Sequence, residues 1–283
     1  MNVPGLAPAV VAVAVVLFVL LLLAVGSLLG YRRRLHDVLG RGRGDPIPTV
    51  KLGAFHPRFA SDELGPTLEA EVAFIGGGDG VPHGTSDREA WVLAVLAREA
   101  RLLFEFGTAT GRTAYLWARN APPGATVVTL TLPPDQVAAY EAEPGDSRGG
   151  TRRALEESAY ARFRYSGTQV EGRVRQLFGD SKAFDETPYA GSCDLIFVDG
   201  SHALSYVESD SEKALRMLSP EGILLWHDYR SRWAKSRDVY RYLNELAEKL
   251  PLVRLAGTSL VAYRRTPPVA SAPPSGGASP GSS

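Results

Sequence analysis

The chain has 283 residues, in which 31 lysines and arginines balance 31 aspartates and glutamates. An apolar fraction of 45% is that of an ordinary globular protein and excludes disorder throughout. The lack of net charge and of any aromatic-studded basic stretch argues against nucleic-acid binding. The single Cys193 excludes an intramolecular disulfide framework and favours a reducing compartment.

The N-terminal segment predicts a membrane span. No charged side chain lies between Met1 and Tyr31, and Ala9–Val25 is an unbroken apolar run. At about 1.5 Å per residue, a helix over Ala9–Gly30 reaches roughly 33 Å, which matches a hydrocarbon core of about 30 Å. Because Arg32 to Arg34 follow directly, the positive-inside rule predicts a cell-membrane anchor with the rest of the chain on the cytoplasmic side.

A cleaved signal peptide and a buried core helix are the alternatives for this segment. A signal peptide needs a basic start and an apolar core of about 7 to 15 residues, and the sequence has neither. Composition therefore predicts four regions: a transmembrane anchor at residues 1–31, a basic juxtamembrane linker at 32–50, one folded domain at 51–266 and a disordered Pro/Ser/Gly tail at 267–283.

Within the folded domain, helical periodicity alternates with short apolar runs. In chain order, the patterns predict a helix at Asp87–Ala100, a strand at Leu102–Phe106, a helix at Arg112–Arg119, a strand at Val127–Leu132, a helix at Asp135–Glu143, a loop at 144–150, a helix at Arg152–Arg162, strands at Val174–Phe178 and Asp194–Val198, a helix at Tyr206–Leu218, a strand at Gly222–Trp226, a helix at Val239–Leu250 and two closing strands at Leu252–Leu255 and Leu260–Tyr263.

This alternation predicts an α/β fold with a mainly parallel sheet and helices on both faces. Gly257 and Thr258 separate the last two runs, which predicts a C-terminal antiparallel hairpin. In sheets of this kind, ligands bind beyond the carboxyl ends of the strands. The polar residues that directly follow the strands are therefore the candidate site.

A glycine turn follows the first of these strands. Gly107 and Gly111 would let the backbone approach a ligand at the N-terminus of the next helix, where free N–H groups favour a carboxylate or phosphate. The spacing, Glu105-x-Gly107-x-Ala109-x-Gly111, is not the dinucleotide-binding G-x-G-x-x-G pattern. The alternative is a tight turn that binds no ligand.

Asp199 and Asp228 follow two strands that one helix connects, so both carboxylates are expected at the ends of neighbouring parallel strands. Strands about 4.8 Å apart would let the two side chains share one hard cation of the Mg²⁺ type. The alternative is that Asp199 caps a helix and Asp228 makes a solvated contact. His202, expected on the first turn of that helix, is the candidate general base, whereas His227 is expected to point to the other face and support the site from behind.

Four motifs in order resemble a class I S-adenosylmethionine-dependent methyltransferase of the methyltransferase-24 type, related to metal-dependent sugar and catechol O-methyltransferases. The motifs are Phe104–Thr113, Phe178–Ser181, Asp194–His202 and Trp226–Tyr229. The resemblance implies a Rossmann-like sheet and covers about residues 85–265.

The resemblance also implies roles for individual residues. S-adenosylmethionine would be held by Glu105, Gly107, Thr108, Gly111, Thr131, Asp180, Ser181 and Asp199, with Asp180 at the adenine amino group. Asp199 and Asp228 would ligate Mg²⁺, and His202 would act as the catalytic base. The chain departs from the family at the end of the second strand, where Thr131 stands in place of the acidic residue that holds the ribose hydroxyls.

These implications predict a membrane-anchored O-methyltransferase whose acceptor is a hydroxyl on a small molecule, a sugar or a lipid-linked precursor. Thr131 makes one hydrogen bond where a carboxylate makes two, which predicts weak or altered binding of the cofactor. A second class of function therefore stays open. In that alternative, the domain is non-catalytic and uses the fold for contact with another protein.

Overall fold

The computed structural model describes residues 6–39, 45–76, 85–230 and 236–265. The chain divides into two compact units, Met1–Gly44 and Asp45–Ser283. The tail predicted at 267–283 lies outside the described residues.

The first unit contains one long helix, α1 (Leu6–Leu39). Its stretch Ala12–Tyr31 has a mean hydropathy of 3.0 and is long and apolar enough to cross a membrane. None of this stretch is buried, which is unlike the core helix of a soluble protein. Helix α1 continues to Leu39, within the predicted linker at 32–50, and the second unit begins at Asp45.

The second unit alternates strands and helices as the sequence predicts. Its strands are β1 (Thr49–Val50), β2 (Ser61–Asp62), β3 (Gly65–Pro66), β4 (Leu102–Phe106), β5 (Thr126–Thr131), β6 (Val174–Phe178), β7 (Cys193–Val198), β8 (Leu218–Trp226), β9 (Val253–Leu255) and β10 (Val261–Arg264). Its α-helices are α2 (Leu52–Phe55), α3 (Asp87–Ala97), α4 (Arg112–Asn120), α5 (Arg148–Glu157), α6 (Leu204–Met217) and α7 (Arg237–Ala247), and short 3₁₀ helices lie at Pro57–Phe59, Leu68–Ala70, Pro134–Ala139, Glu171–Arg173 and Thr187–Tyr189.

Eight strands form one sheet in the order β1-β9-β10-β8-β7-β4-β5-β6. The run β8-β7-β4-β5-β6 is parallel throughout, and β10 pairs antiparallel with both β8 and β9. The mainly parallel sheet and the C-terminal antiparallel hairpin are therefore confirmed. Strands β2 and β3 pair separately as a small antiparallel ribbon.

The sheet is covered on both faces because successive side chains of its central strands point to opposite sides. Leu103 of β4 packs in a core with Leu93 of α3 and Trp117 of α4. The next residue, Phe104, packs in a second core with Met217 of α6, and α7 contributes to that core as well. Helices on both faces are thus confirmed.

Two predicted elements between β5 and β6 are wrong in detail. Instead of a helix over Asp135–Glu143, a 3₁₀ helix spans Pro134–Ala139 and ends at Tyr140, whose backbone is extended. Helix α5 begins at Arg148, inside the predicted loop, because the Ser147 side chain accepts a hydrogen bond from the Gly150 N–H and caps it.

Candidate active site

A cleft of about 520 Å³ opens beyond the carboxyl ends of the parallel strands. Its wall combines the turn after β4, the end of β5, the loops after β6 and β7, and the last turn of α5. Five residues proposed from the sequence as cofactor ligands line it: Gly107, Thr131, Asp180, Ser181 and Asp199. Tyr140, Glu157, Tyr206 and Asp210 also line the cleft and had no role in the sequence analysis.

The glycines of the turn after β4 are required by the backbone. Gly107 has a φ of +97°, and a Cβ there would lie 2.3 Å from the carbonyl oxygen of Asp199. Gly111 caps α4 with a φ of +73° and packs against Phe163 rather than lining the cleft. Gly107 therefore lets the turn after β4 pack directly on the backbone that carries Asp199.

Glu105 and Thr108 lie beneath the cleft rather than in its wall. The buried Glu105 carboxyl accepts a hydrogen bond from the Thr129 hydroxyl at 2.6 Å. The hydroxyls of Thr108 and Thr129 are 2.7 Å apart, and Gln176 Nε2 donates to Thr108 at 3.1 Å. Burial raises the pKa of Glu105 to about 8. The side chains of Glu105 and Thr108 therefore stabilise the glycine turn from below through their contacts with Thr129.

On the far side of the cleft, Asp180 is already engaged with the protein. Its Oδ1 accepts from the Lys182 N–H at 3.0 Å, and its Oδ2 accepts from the Tyr206 hydroxyl at 3.1 Å. The Tyr206 ring stacks on Tyr140 with centroids 4.5 Å apart. An adenine amino group bound at Asp180 would therefore share or replace the Tyr206 hydrogen bond.

Thr131 ends β5 in the cleft wall, which allows the ribose expectation to be tested. Thr131→Asp is expected to tighten binding of S-adenosylhomocysteine by about tenfold or more, because a carboxylate bonds two hydroxyls and each charge-assisted bond contributes about 1.5 to 3 kcal/mol. Calorimetric titration measures this. Thr126→Asp, at the exposed start of the same strand, is the control. Unchanged affinity would place the ribose elsewhere, for example at Asp135.

The carboxylates of Asp199 and Asp228 lie at the ends of the parallel neighbours β7 and β8, as the sequence predicts. Asp228 has a φ of +57°, a left-handed conformation that aspartate tolerates better than most residues. One ligand atom each from Asp199, His202 and Asp228 lie within 4.8 Å of one another. His202 precedes α6 instead of lying on its first turn, and its Nε2 is 3.3 Å from Asp228 Oδ2.

His227 lies closer to the acids than the sequence analysis expected. Its Nδ1 is 2.9 Å from Asp199 Oδ1, and its Nε2 is 3.4 Å from Glu89 Oε2. Burial alone would lower the pKa of His227, but the surrounding carboxylates raise it well above its ordinary value. The buried Glu89 and His227 therefore form a relay of ion pairs that runs from α3 to Asp199 of the acid cluster.

Glu89 is the part of this relay that sequence reasoning missed. The N–H and hydroxyl of Ser259 each donate to Glu89 Oε1 at 2.7 Å, and the Ser86 hydroxyl donates to Oε2 at 2.8 Å. Burial alone would raise the pKa of Glu89, but His227 and these donors hold it well below its usual range. In the sequence, Ser86 and Glu89 have the spacing of a capping box, which predicts a helix start and nothing more.

Helix α5 brings two further charged groups to the cluster. Arg153 contacts Glu157 Oε1 at 2.9 Å and Asp228 Oδ2 at 3.8 Å through the same nitrogen. Burial raises the pKa of Glu157 to about 8, and the nearby acids add to that shift. Burial would also raise the pKa of Asp228, but two neighbouring imidazoles and two neighbouring guanidiniums lower it to about 2.

Comparison with known proteins agrees with the four sequence motifs. A family model described as a methyltransferase domain, methyltransferase-24, matches residues 104–229. No curated protein sequence matches the chain.

Among solved structures, the chain is similar to an O-methyltransferase of tomaymycin synthesis from Streptomyces achromogenes in complex with S-adenosylmethionine. The two share 20% identity over 65% of this chain and 82% of the other, with a TM-score of 0.45. It is also similar to an O-methyltransferase from Bacillus cereus in complex with S-adenosylhomocysteine, at 19% identity over 65% and 83% of the chains and a TM-score of 0.43. The family match spans the glycine turn, Asp199, His202 and Asp228, so residues 104–229 of the chain match a methyltransferase domain of the methyltransferase-24 type.

Proposed function

We propose that the chain is an S-adenosylmethionine-dependent O-methyltransferase that acts on a hydroxyl of a small-molecule, sugar or lipid-linked acceptor. The observation that carries this proposal is the convergence of Asp199, His202 and Asp228 within 4.8 Å. Asp199 is shared between this cluster and the wall of the cleft beside Gly107. A methyl donor in the cleft and a hydroxyl at the cluster would thus be neighbours.

The residues of the cleft fit the cofactor. Gly107 keeps the turn free of a side chain, while Thr131, Asp180 and Ser181 offer polar groups along the wall. We assign Glu105, Thr108 and Gly111 to shaping this turn, since none of the three lines the cleft. The cofactor supplies an electrophilic methyl group, and the cleft's task is to hold it in line with the acceptor oxygen.

The acid cluster fits a divalent cation, because the carboxylates of Asp199 and Asp228 present their oxygen atoms together, with the imidazole of His202 beside them. Asp199 and Asp228 would hold Mg²⁺, which acidifies and orients a bound hydroxyl. His202 would accept the hydroxyl proton at Nε2, and Asp228, 3.3 Å away, would stabilise the imidazolium that results. The Glu89–His227 pair would keep Asp199 oriented.

The test is a calorimetric titration of the full chain in detergent with S-adenosylhomocysteine, with and without Mg²⁺. Binding in the cleft, together with Mg²⁺ binding that is lost in Asp199→Asn, is expected. A folded chain that fails to bind S-adenosylhomocysteine at millimolar concentration would contradict the proposal. That result would favour a non-catalytic role in protein contact, with Asp180 engaged by Lys182 and Tyr206 and with an uncharged residue at Thr131.

We further propose that Ala12–Tyr31 anchors the enzyme in the cell membrane with its domain in the cytoplasm, since three arginines follow the apolar stretch. Protease added to intact cells is expected to leave the domain uncut, whereas the same treatment after lysis should digest it. Digestion without lysis, or recovery of a soluble chain that begins near Leu28, would exclude this arrangement.

A further inference from the structure

Two arginines meet at the carboxylate of Asp228. Arg230, in the loop after β8, places its Nε 3.3 Å from Oδ1, and Arg153 of α5 places a terminal nitrogen 3.8 Å from Oδ2. A guanidinium group carries a positive charge. Each oxygen of this carboxylate, which is also a proposed metal ligand, therefore has a permanent cation beside it.

The fold places Arg153 at this position through several contacts of α5. A Cβ on Gly150 would lie 2.6 Å from the carbonyl carbon of His202, so the helix packs directly on the backbone next to the proposed base. Asp146, just before the helix, accepts from the N–H and hydroxyl of Ser205, both at 2.8 Å. The Ser147 N–H donates to Asp238 at 2.8 Å. Arg153 is thus carried by a helix tied to both α6 and α7.

Arg153 also has hydrogen-bonding capacity that its present partners leave unused. Its Nε is buried and has no hydrogen-bond partner among the residues that the structure describes. The side chain is nevertheless 21% exposed, and that of Arg230 is 49% exposed. A guanidinium presents five N–H donors in a planar fork that matches carboxylate and phosphate oxygens.

A divalent cation on Asp228 would compete with the two guanidiniums for the same two oxygens. We propose that Arg153 and Arg230 then bind an anionic group, a carboxylate or a phosphate, that the acceptor carries next to the hydroxyl to be methylated. This assignment of an acceptor class rests on the function proposed above. The proposal predicts that an anion binds more tightly when Asp228 no longer pairs with Arg153 and Arg230.

The first test uses inorganic phosphate and needs neither metal nor turnover. In the full chain, Asp228→Asn removes the negative charge that both arginines face, while Arg153 keeps its contact with Glu157. Asparagine tolerates the left-handed backbone at this position. Phosphate is expected to bind this variant at least about tenfold more tightly than the wild-type protein, because charge-assisted hydrogen bonds from the two guanidiniums to phosphate no longer compete with their ion pairs to Asp228. Calorimetry measures the affinity, and circular dichroism verifies that the variant is folded.

Adding Arg153→Met to Asp228→Asn is expected to abolish the gain in phosphate affinity. The matched control is Arg152→Met, which removes the neighbouring arginine, 82% exposed and paired with Glu156 on the solvent side of the same helix. Equal phosphate binding by the unchanged chain and Asp228→Asn would overturn the inference. So would equal losses from Arg153→Met and Arg152→Met.

The second test identifies the source of the anion. With Mg²⁺ and S-adenosylhomocysteine present, 3,4-dihydroxybenzoate and catechol offer the same two hydroxyls with and without a carboxylate. Tighter binding of 3,4-dihydroxybenzoate that depends on Arg153 supports a soluble acceptor. An Arg153-dependent rise in Mg²⁺ affinity in phosphatidylglycerol nanodiscs, absent in phosphatidylcholine, supports a lipid-borne one. If neither the binding of 3,4-dihydroxybenzoate nor the Mg²⁺ affinity in nanodiscs depends on Arg153, the acceptor assignment is overturned. Failure of S-adenosylhomocysteine to bind at all would instead overturn the proposed function itself.

Discussion

Replacing Glu89 with glutamine is expected to lower the free energy of unfolding by about 3 to 5 kcal/mol, the usual cost of removing one partner from a buried ion pair. Glu89 accepts hydrogen bonds from Ser86 and Ser259 and faces the Nε2 of His227 at 3.4 Å. Glutamine keeps the shape of the side chain but removes its charge. It would leave the imidazolium of His227 paired on one side only.

The effect should depend on pH in a defined direction. Because the pKa of Glu89 is lower in the folded chain than its ordinary 4.5, its contribution to stability is fully present above that value and is lost as the pH falls below it. Urea unfolding followed by tryptophan fluorescence is therefore expected to show a large difference between the two chains at pH 7 and a smaller one at pH 4. Glu69→Gln, at an exposed position, is the control. A difference below 1 kcal/mol at pH 7, well under the cost of breaking a buried pair, would mean that the Glu89 carboxylate adds little to the relay.

Most of the fold could be predicted from the sequence because local patterns and topology agree. Short apolar strands such as Leu102–Phe106 end at glycine or aspartate, and helices of suitable length connect them, which leaves a parallel sheet as the simplest arrangement. The prediction failed between β5 and β6. There, the first helix ends early because the backbone of Tyr140 is extended. The next helix starts at the Ser147 cap, so it includes Gly149 and Gly150, two residues that are typical of a loop.

The positions of site residues that directly follow a strand could be predicted from the sequence, whereas the positions of the other site residues could not. Asp199 and Asp228 end adjacent strands, so their proximity follows from the order of the chain. Glu89 lies on a helix more than a hundred residues before His227 in the chain. Arg153 lies on α5, which begins inside the predicted loop. Contacts of that kind depend on tertiary packing, and no local pattern encodes them.

His227 shows why face alternation misleads at a strand end. Successive side chains of a strand point to opposite faces, which predicts His227 away from Asp228. The left-handed backbone at Asp228 breaks that alternation directly after β8, and both side chains contact the same acid cluster.

Substitutions at the acid cluster are expected to have the largest effect on turnover, with a different signature for each residue. His202→Ala should lower the turnover rate by about 10²- to 10⁴-fold, the usual contribution of a positioned general base, and should remove the acidic limb of the pH profile. Asp199→Asn or Asp228→Asn should weaken Mg²⁺ binding and abolish turnover, while affinity for S-adenosylhomocysteine stays nearly intact. Methyl transfer to an acceptor found by screening catechols, sugars and lipid precursors provides the assay.

His202→Ala should differ from Asp199→Asn and Asp228→Asn in its binding of Mg²⁺. His202→Ala should still bind Mg²⁺, because Asp199 and Asp228 remain at the ends of β7 and β8. His56→Ala is a matched control, since it removes an equally buried histidine that pairs with Glu99 and does not line the cleft. If turnover persists in a chelator and in His202→Ala, neither a cation nor a base drives the reaction, and catalysis would rest on holding the acceptor oxygen in line with the methyl group.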